Sequence, residues 1–431
     1  MLLTIAKTKS AEIIPVWHTE SGAGDIQDIE FLKGHEEFLM LVGVGSEAQL
    51  QIRSTETGEL INSVPTSTSI ESRIAITPDS TRFIHLDGGG AHIRKIDNSF
   101  AKEGLLFVNS DSIVYRFTDI AIDPIRPLVY VTIFGQKGAH PNITTKSKVS
   151  VYNYETREFI KDLTELGNYK YSVIEVSDDG KYLATLNDGK AYLKVWDLET
   201  MELIVDEKLF ADIQDFWSDS RDIKFSALNN SNIYISGTFT DKLGSKDLGS
   251  GCYLFNIGSK TRELLLPNAT YGSDKIILFD NESRIFNSIY IRIGILNLIL
   301  QELEWYGKPP QFTFSNKVIY SQDLKSFIGF TGNNISNFQY DSQTNIIDEI
   351  IKEIVISPNP TYSYVNIDIT CTEPYIDFQI NNSQGLKLIH NSIENPKGNI
   401  QLDFSLYPSG VYLLTLICNK VTKTYKIIKE G

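Results

Sequence analysis

Two polar stretches hold the residues best suited to bind a ligand: Gln136–Ser147 (QKGAHPNITTKS) and Thr240–Ser250 (TDKLGSKDLGS). Segments expected to join one repeat unit to the next add Tyr169 and Tyr171 on one side and Phe216 and Trp217 on the other. Aromatic faces stack on sugar or peptide planes, while amides and charges orient what is stacked. Long connections that a fold does not need are more often functional than structural. The spacing therefore predicts a shallow ligand site with Tyr169 and Trp217 as anchors. His140, Asn142, Lys242 and Asp247 would form its polar rim. The competing reading is two mobile insertions, with both aromatics packed into a sheet.

Catalytic and cofactor motifs are weak by comparison, and the residues identify no catalytic group, metal site or cofactor. Gly43-Val44-Gly45 has the start of a dinucleotide loop, but a strand pattern at Gln49–Arg53 follows where a helix is required. It reads as a hairpin turn, as does Gly88-Gly89-Gly90. His18, His35, His85, His92, His140 and His390 show no ligand spacing. His85 and His92 fall on the second and third strands of one unit and could face each other, which reads as a packed or exposed pair rather than a metal site. Asp241, Asp247, Gly249 and Gly251 suit a calcium loop in composition but lack the alternating acidic spacing. That loop and the Asp-rich segment 206–222 read as solvated. Cys252, Cys371 and Cys418 read as buried free thiols, with a Cys371–Cys418 bridge as the alternative.

The elements that must position these residues repeat. Tyr171–Leu203 (YSVIEVSDDGKYLATLNDGKAYLKVWDLETMEL) contains three short strand signals separated by Asp178-Asp179-Gly180 and Asn187-Asp188-Gly189. Both separators favour positive φ, and a weaker fourth strand follows at Met201–Val205. Apolar–x–apolar first strands recur at Ile29–Phe31, Ile74–Ile76, Ile120–Ile122, Ile174–Val176, Ile223–Phe225, Ile276–Leu278 and Val318–Tyr320. Their starts lie about 42 to 54 residues apart, the spacing of propeller blades. The sixth unit, about 273–310, has the least distinct strand limits, and a helix over Ile285–Leu303 is the alternative there. Glu12–Trp17 is expected to complete the unit built by 313–350, with a frayed tail as the alternative.

This gives an all-β chain: a seven-bladed β-propeller over 12–350, then a small Ig-like β-sandwich over 354–431. The formal charge is −14, and in the last 78 residues six Lys cancel three Asp and three Glu. The acidic excess lies before residue 354 and argues against a nucleic-acid partner. No apolar run reaches the roughly 20 residues that a membrane-spanning helix needs.

Trp196-Asp197 resembles the third-strand signature of WD40 repeats, and Tyr130-Val131-Thr132 resembles bacterial YVTN-type repeats. The resemblance implies a WD40-like ring, and fold alone implies no function. Residues 354–431 resemble, over their whole length, the C-terminal sorting domain of the type IX secretion system of Bacteroidota. The matching pieces are Pro358-Asn359-Pro360 at the entry, a strand–turn–strand around Gly385, Gly410-Val411-Tyr412, and a basic last strand with Lys426 and Lys429. The resemblance implies the type IX machinery as a partner and a secreted or surface-attached destination. Cargo of that route also carries a signal peptide. Met1–Ala6 is interrupted by Lys7 and Lys9 and lacks a signal's basic start and apolar run, so the expectation is a misplaced start or a non-exported remnant. The function expected is a binding or scaffold module for a protein or glycan. The alternative is a secreted hydrolase or lyase with carboxylates on propeller loops.

Overall fold

The computed structural model describes residues 12–68, 72–87, 90–108, 114–137, 144–163, 171–187, 191–209, 216–241, 251–266, 275–289, 292–298, 302–307, 317–341, 351–371, 375–382, 387–394, 397–418 and 421–430. Among them there is no helix. The chain divides into two compact units, one spanning Ser10–Tyr340 and one built on Asp341–Gly431.

Among the described residues, the larger unit holds seven four-stranded sheets. Six are consecutive antiparallel meanders. The first is Ile26–Phe31, Glu37–Val42, Gln49–Ser54 and Leu60–Pro65. The second to sixth begin at Arg73–Ile76, Val114–Ile122, Tyr171–Val176, Phe216–Phe225 and Lys275–Phe279. The seventh combines Lys317–Ser321, Ser326–Thr331 and Asn334–Asp341 with Glu12–Glu20 from the other end of the chain. The first strands touch one another in order, and Lys317–Ser321 touches Ile26–Phe31, so the series closes into a ring. Ile285–Leu303 forms strands at Arg284–Ile289, Arg292–Asn297 and Glu302–Gly307.

A lone sheet of this kind cannot bury its two faces, and the core is divided accordingly. Seven apolar clusters each draw on two neighbouring sheets, one cluster per junction. This explains the apolar–x–apolar pattern. Ile29, Ile74, Ile174, Ile223, Ile276 and Val318 are buried in these junctions, while Ile120 is half-buried. The second apolar position is more open: Phe31, Ile76, Ile122, Leu278 and Tyr320 are half-buried beside a central cavity. The densest junction joins the sixth and seventh sheets, where Phe279, Phe286, Phe327 and Phe338 pack ring on ring. Trp196 sits fully buried between the third and fourth sheets.

Three junctions carry the same polar staple. Asp28, Asp119 and Asp222 each accept the main-chain N–H of the next sheet's inner strand, at Ile74 (2.8 Å), Ile174 (3.1 Å) and Ile276 (2.9 Å). Each aspartate sits where the pairing register shifts, and a bulge of this kind re-aims a side chain out of the sheet. Segment 206–222 is therefore more than solvated loop, because Asp222 is a buried staple.

The N-terminal strand is fastened from both sides. Trp17 donates its indole N–H to the Thr55 carbonyl at 2.8 Å. Buried Arg53 donates to the carbonyls of Glu20, Ser21 and Gly58. Gly58 has φ +74°, and an added Cβ would meet the Trp17 ring at 2.7–2.9 Å.

The smaller unit has two sheets. One orders Ile351–Ser357, Tyr364–Cys371 and Lys397–Asp403, and the other orders Lys387–Glu394, Tyr375–Asn382, Gly410–Cys418 and Val421–Lys429. Val365, Ile367 and Leu402 from one sheet meet Phe378, Ile380, Leu414 and Ile427 from the other in a single core. The first strand begins at Ile351, three residues before the boundary expected from sequence.

Gly58→Val should destabilise the protein by roughly 2–4 kcal/mol, since a β-branched residue is forced both into the left-handed region and into an aromatic ring. The check is a lowered denaturation midpoint together with faster amide exchange in Glu12–Glu20. Unchanged exchange there would show that this fastening does not hold the strand.

Candidate functional site

Ring closure creates a central cavity of about 940 Å³. It opens among the links between first and second strands, with Phe31–His35, Thr77–Pro78, Asp178, Ala227–Leu228, Asn281–Glu282 and Gln322 at its mouth. The middle residue of each apolar–x–apolar strand lines it: Glu30, Ala75, Ala121, Glu175, Lys224, Ile277 and Ile319. The period of two turns these side chains away from the first-position residues buried in the junctions, and Ala121 and Ile319 also join junction cores.

Among the described residues, two lysines of this lining form ion pairs. Lys317 donates to Asp28 at 2.9 Å and Glu30 at 2.6 Å, bridging the seventh and first sheets. Lys224 donates to Glu175 at 2.6 Å, bridging the fifth and fourth. Loss of water around Glu175 pushes its carboxyl up to about 7, against the opposing pull of Lys224. Glu30 is likewise raised, chiefly by burial, with Lys317 opposing and Asp28 adding to the rise. Burial disfavours the charges on Lys224 and Lys317, but the carboxylates around each outweigh it and hold both pKa values above the usual lysine range. Glu282 fixes part of the mouth: its carboxylate accepts from the Ala227 and Leu228 main-chain N–H groups and from the Ser226 hydroxyl. It does so from a turn in which Asp280, Asn281 and Glu282 all have positive φ.

Most of the residues expected to form the ligand site are not described by the structure. Tyr169, His140, Asn142, Lys242 and Asp247 lie outside the described residues, and for Trp217 only the strand register is described. That register corrects the expected backbone. Trp217 and Phe216 pair with Thr240 and Asp241 inside an inner strand, and Tyr171 pairs with Asn187, so these three are not in segments joining sheets. The described residues of Gln136–Ser147 are ladder rather than loop, with Leu128–Lys137 paired to Thr144–Asn153 out to Lys137↔Thr144. A hairpin projecting past its core has nothing to bury, so its sequence is as polar as a loop's. Lys137 and Thr144 in the third sheet, and Phe216 and Asp241 in the fifth, end their ladders away from the links at the cavity mouth. The cavity's own charged residues were visible in sequence as polar middle positions of the repeat, but nothing in the pattern marked them as neighbours.

Other sequence candidates resolve simply. His85 and His92 are direct cross-strand partners with ring centroids 6.4 Å apart. His92 pairs with Asp87 at 3.1 Å. Burial, then nearby Arg94, lowers His85 to about 3. No set of three or more potential metal ligands occurs among the described residues. Gly43 and Gly45 have positive φ in a hairpin link. Buried Cys252 is free, its thiol pushed up to about 12 chiefly by desolvation; the side chains of Cys371 and Cys418 lie outside the described residues.

In the smaller unit, the expected sorting residues converge. Asn359 donates its amide to the Lys426 carbonyl at 2.7 Å and accepts the Ile428 N–H at 2.9 Å. Thr361 continues the contact as a parallel bridge to Lys429. The entry segment thus covers the edge of the last strand, blunting an otherwise open edge. Gly410, Val411 and Tyr412 pair with Lys429, Ile428 and Ile427. The Tyr412 hydroxyl donates to the Pro408 carbonyl at 2.7 Å, and its ring packs against Phe404 and Tyr407. Gly410 opens a strand rather than forming a turn, and the nearest atom to an added Cβ is 4.0 Å away. Gly385 lies outside the described residues.

Residues 355–430 match the family described as the secretion system C-terminal sorting domain. This segment is a type IX sorting domain. It implies engagement with the type IX machinery and export to the medium or the cell surface. No curated protein matches the chain. Among solved structures, a chain of the Kuenenia stuttgartiensis hydrazine synthase structure is similar at 13% identity and a TM-score of 0.59. The match covers 78% of this chain and 98% of that one. At that identity it shows fold alone, a propeller-like all-β architecture. In all, 818 solved chains match, a breadth that makes the fold uninformative about activity. No helix among the described residues is long and apolar enough to cross a membrane.

Glu175 should titrate with a midpoint about 7 when its carboxyl carbon is followed by NMR. The folded state then holds a proton that the unfolded state, near its ordinary 4.5, has released. Stability should fall as pH rises between these values. Glu175→Gln should flatten that slope, and a midpoint near 4.5 would refute the assignment.

Proposed function

We propose that this protein is an exported binding module: a seven-bladed, WD40-like ring that holds a protein or glycan ligand, delivered to the medium or cell surface by a C-terminal Ig-like sorting domain. The observation that carries the reading is the sorting domain at 355–430 joined to a ring with a large, charged central cavity. Seven four-stranded sheets with inner strands in cyclic contact support the blade count. Two sheets around one core support the sandwich. Trp196, buried on a third strand, is compatible with the WD40-like reading. The sorting domain's resemblance supports a source among Bacteroidota.

Glu175 favours a second reading, hydrolase or lyase. A carboxyl held near neutrality suits general acid–base work. Panels of glycans and peptides separate the two readings: saturable binding without turnover supports the module, and turnover lost in Glu175→Gln supports the enzyme. For a macromolecular ligand we propose a further contact on the hairpins at the ring's other end. There Tyr169 and Trp217 are the anchors, and His140, Asn142, Lys242 and Asp247 the rim. Trp217→Ala should then weaken binding at least tenfold with little change in melting temperature.

Deleting 354–431 should leave a folded ring retained inside a type IX–competent host, read by fractionation and by the melting curve of the recovered ring. Appearance of the truncated protein in the medium would overturn the export assignment.

A further inference from the structure

The two ion pairs of the cavity face each other. One stands at the seventh–first junction and the other at the fourth–fifth, about half a turn apart in a seven-membered ring. The charges of Glu30 and Lys224 act on each other across the gap. On one arc between them the lining shrinks to Ala75 and Ala121. Toward the mouth an apolar collar follows, including Phe31, Phe225 and Tyr320. At the rim Leu228 is 72% exposed, and Ile125, on the third sheet's link at the same end, is 69% exposed. Exposed apolar side chains around a charged floor suit a ligand that is itself amphiphilic.

The sign of the ligand's charge follows from the lining. Five acidic side chains line the cavity against three basic ones among the described residues. Lys224 and Lys317 already give protons to carboxylates, whereas a carboxylate accepts about four hydrogen bonds. Aromatic faces also attract cations and repel anions. We propose that the cavity binds an organic cation, a primary amine or guanidinium on an apolar stem, with the charged group between Glu30 and Glu175 and the stem along the collar. This rests on the cavity being the ligand site of the ring.

The cation also couples to protonation. Glu175 is partly protonated near neutral pH, and a cation beside it favours the carboxylate. Binding should therefore release protons below the Glu175 midpoint.

The test uses the full chain, with n-hexylammonium and hexanoate as probes of one stem and opposite charge. Calorimetry at pH 6.5 in two buffers of different ionisation heat should show saturable binding of the amine with proton release. Hexanoate should bind at least tenfold more weakly. In the unmodified protein the amine should also move the Glu175 carboxyl titration to lower pH, a readout that needs no variant. Glu175→Gln should weaken the amine at least tenfold and abolish proton release, and Ala121→Leu should weaken it by crowding the channel without removing a charge. Tighter binding of hexanoate, or amine binding that leaves the Glu175 titration unmoved, overturns the proposal. If neither probe binds while a glycan or peptide saturates the ring, the cation proposal fails and the binding module stands. If nothing binds, both fail.

Discussion

The junction between the seventh and first sheets is the contact on which the ring depends. Every other junction joins sheets adjacent in sequence, so its core forms once a short connection closes. This one joins residues 289 positions apart, Lys317 and Asp28. The entropic cost of closing such a loop grows only slowly with length, but it must be met by contacts made at that junction. Three kinds are made there. Ile29, Met40 and Val42 pack against Ile328, Phe330 and Ile335. Glu12–Glu20 adds a fourth strand to the seventh sheet, and Lys317 bridges Asp28 and Glu30.

Asp28 joins two junctions at once. One carboxylate oxygen accepts the Ile74 N–H of the second sheet, and the other accepts the Lys317 ammonium of the seventh. A buried carboxylate is costly unless its acceptors find donors, and these two partners, with the Ile29 N–H at 3.0 Å, give both oxygens one. The same arithmetic explains the channel. Lys224 and Lys317 are half-buried and held by the carboxylates they neutralise. What remains unneutralised is acidic, and that residue of charge gives the cavity its chemical character.

The smaller unit solves a different problem. Its last strand would be an open edge, and the Pro358–Thr361 entry covers it through the Asn359 amide and a short parallel bridge. The prolines have no N–H to offer a ladder, so the asparagine side chain supplies the hydrogen bonds that a strand backbone otherwise would. The residues that resemble a sorting signal are thus also the residues that finish the sandwich.

Strands, turns and the sorting segment were legible from sequence because each is encoded within a few residues. Period-two alternation sets a strand's faces, Asp-Gly pairs set its turns, and 355–430 is contiguous. The repeat gave the inner strands, including the polar middle positions occupied by Glu30, Glu175 and Lys224. Their grouping was not legible. Whether a polar residue at such a position faces solvent, a neighbouring sheet or a shared channel depends on where six other sheets lie. Asp222 read as solvent-exposed for the same reason: its partner, the Ile276 N–H, is 54 residues away. Gln136–Ser147 read as loop because a projecting hairpin has no core to mark it. Local sequence determined the elements and the segment that implies export; ring closure alone decided which charges meet, because pairwise electrostatics act through space and not along the chain.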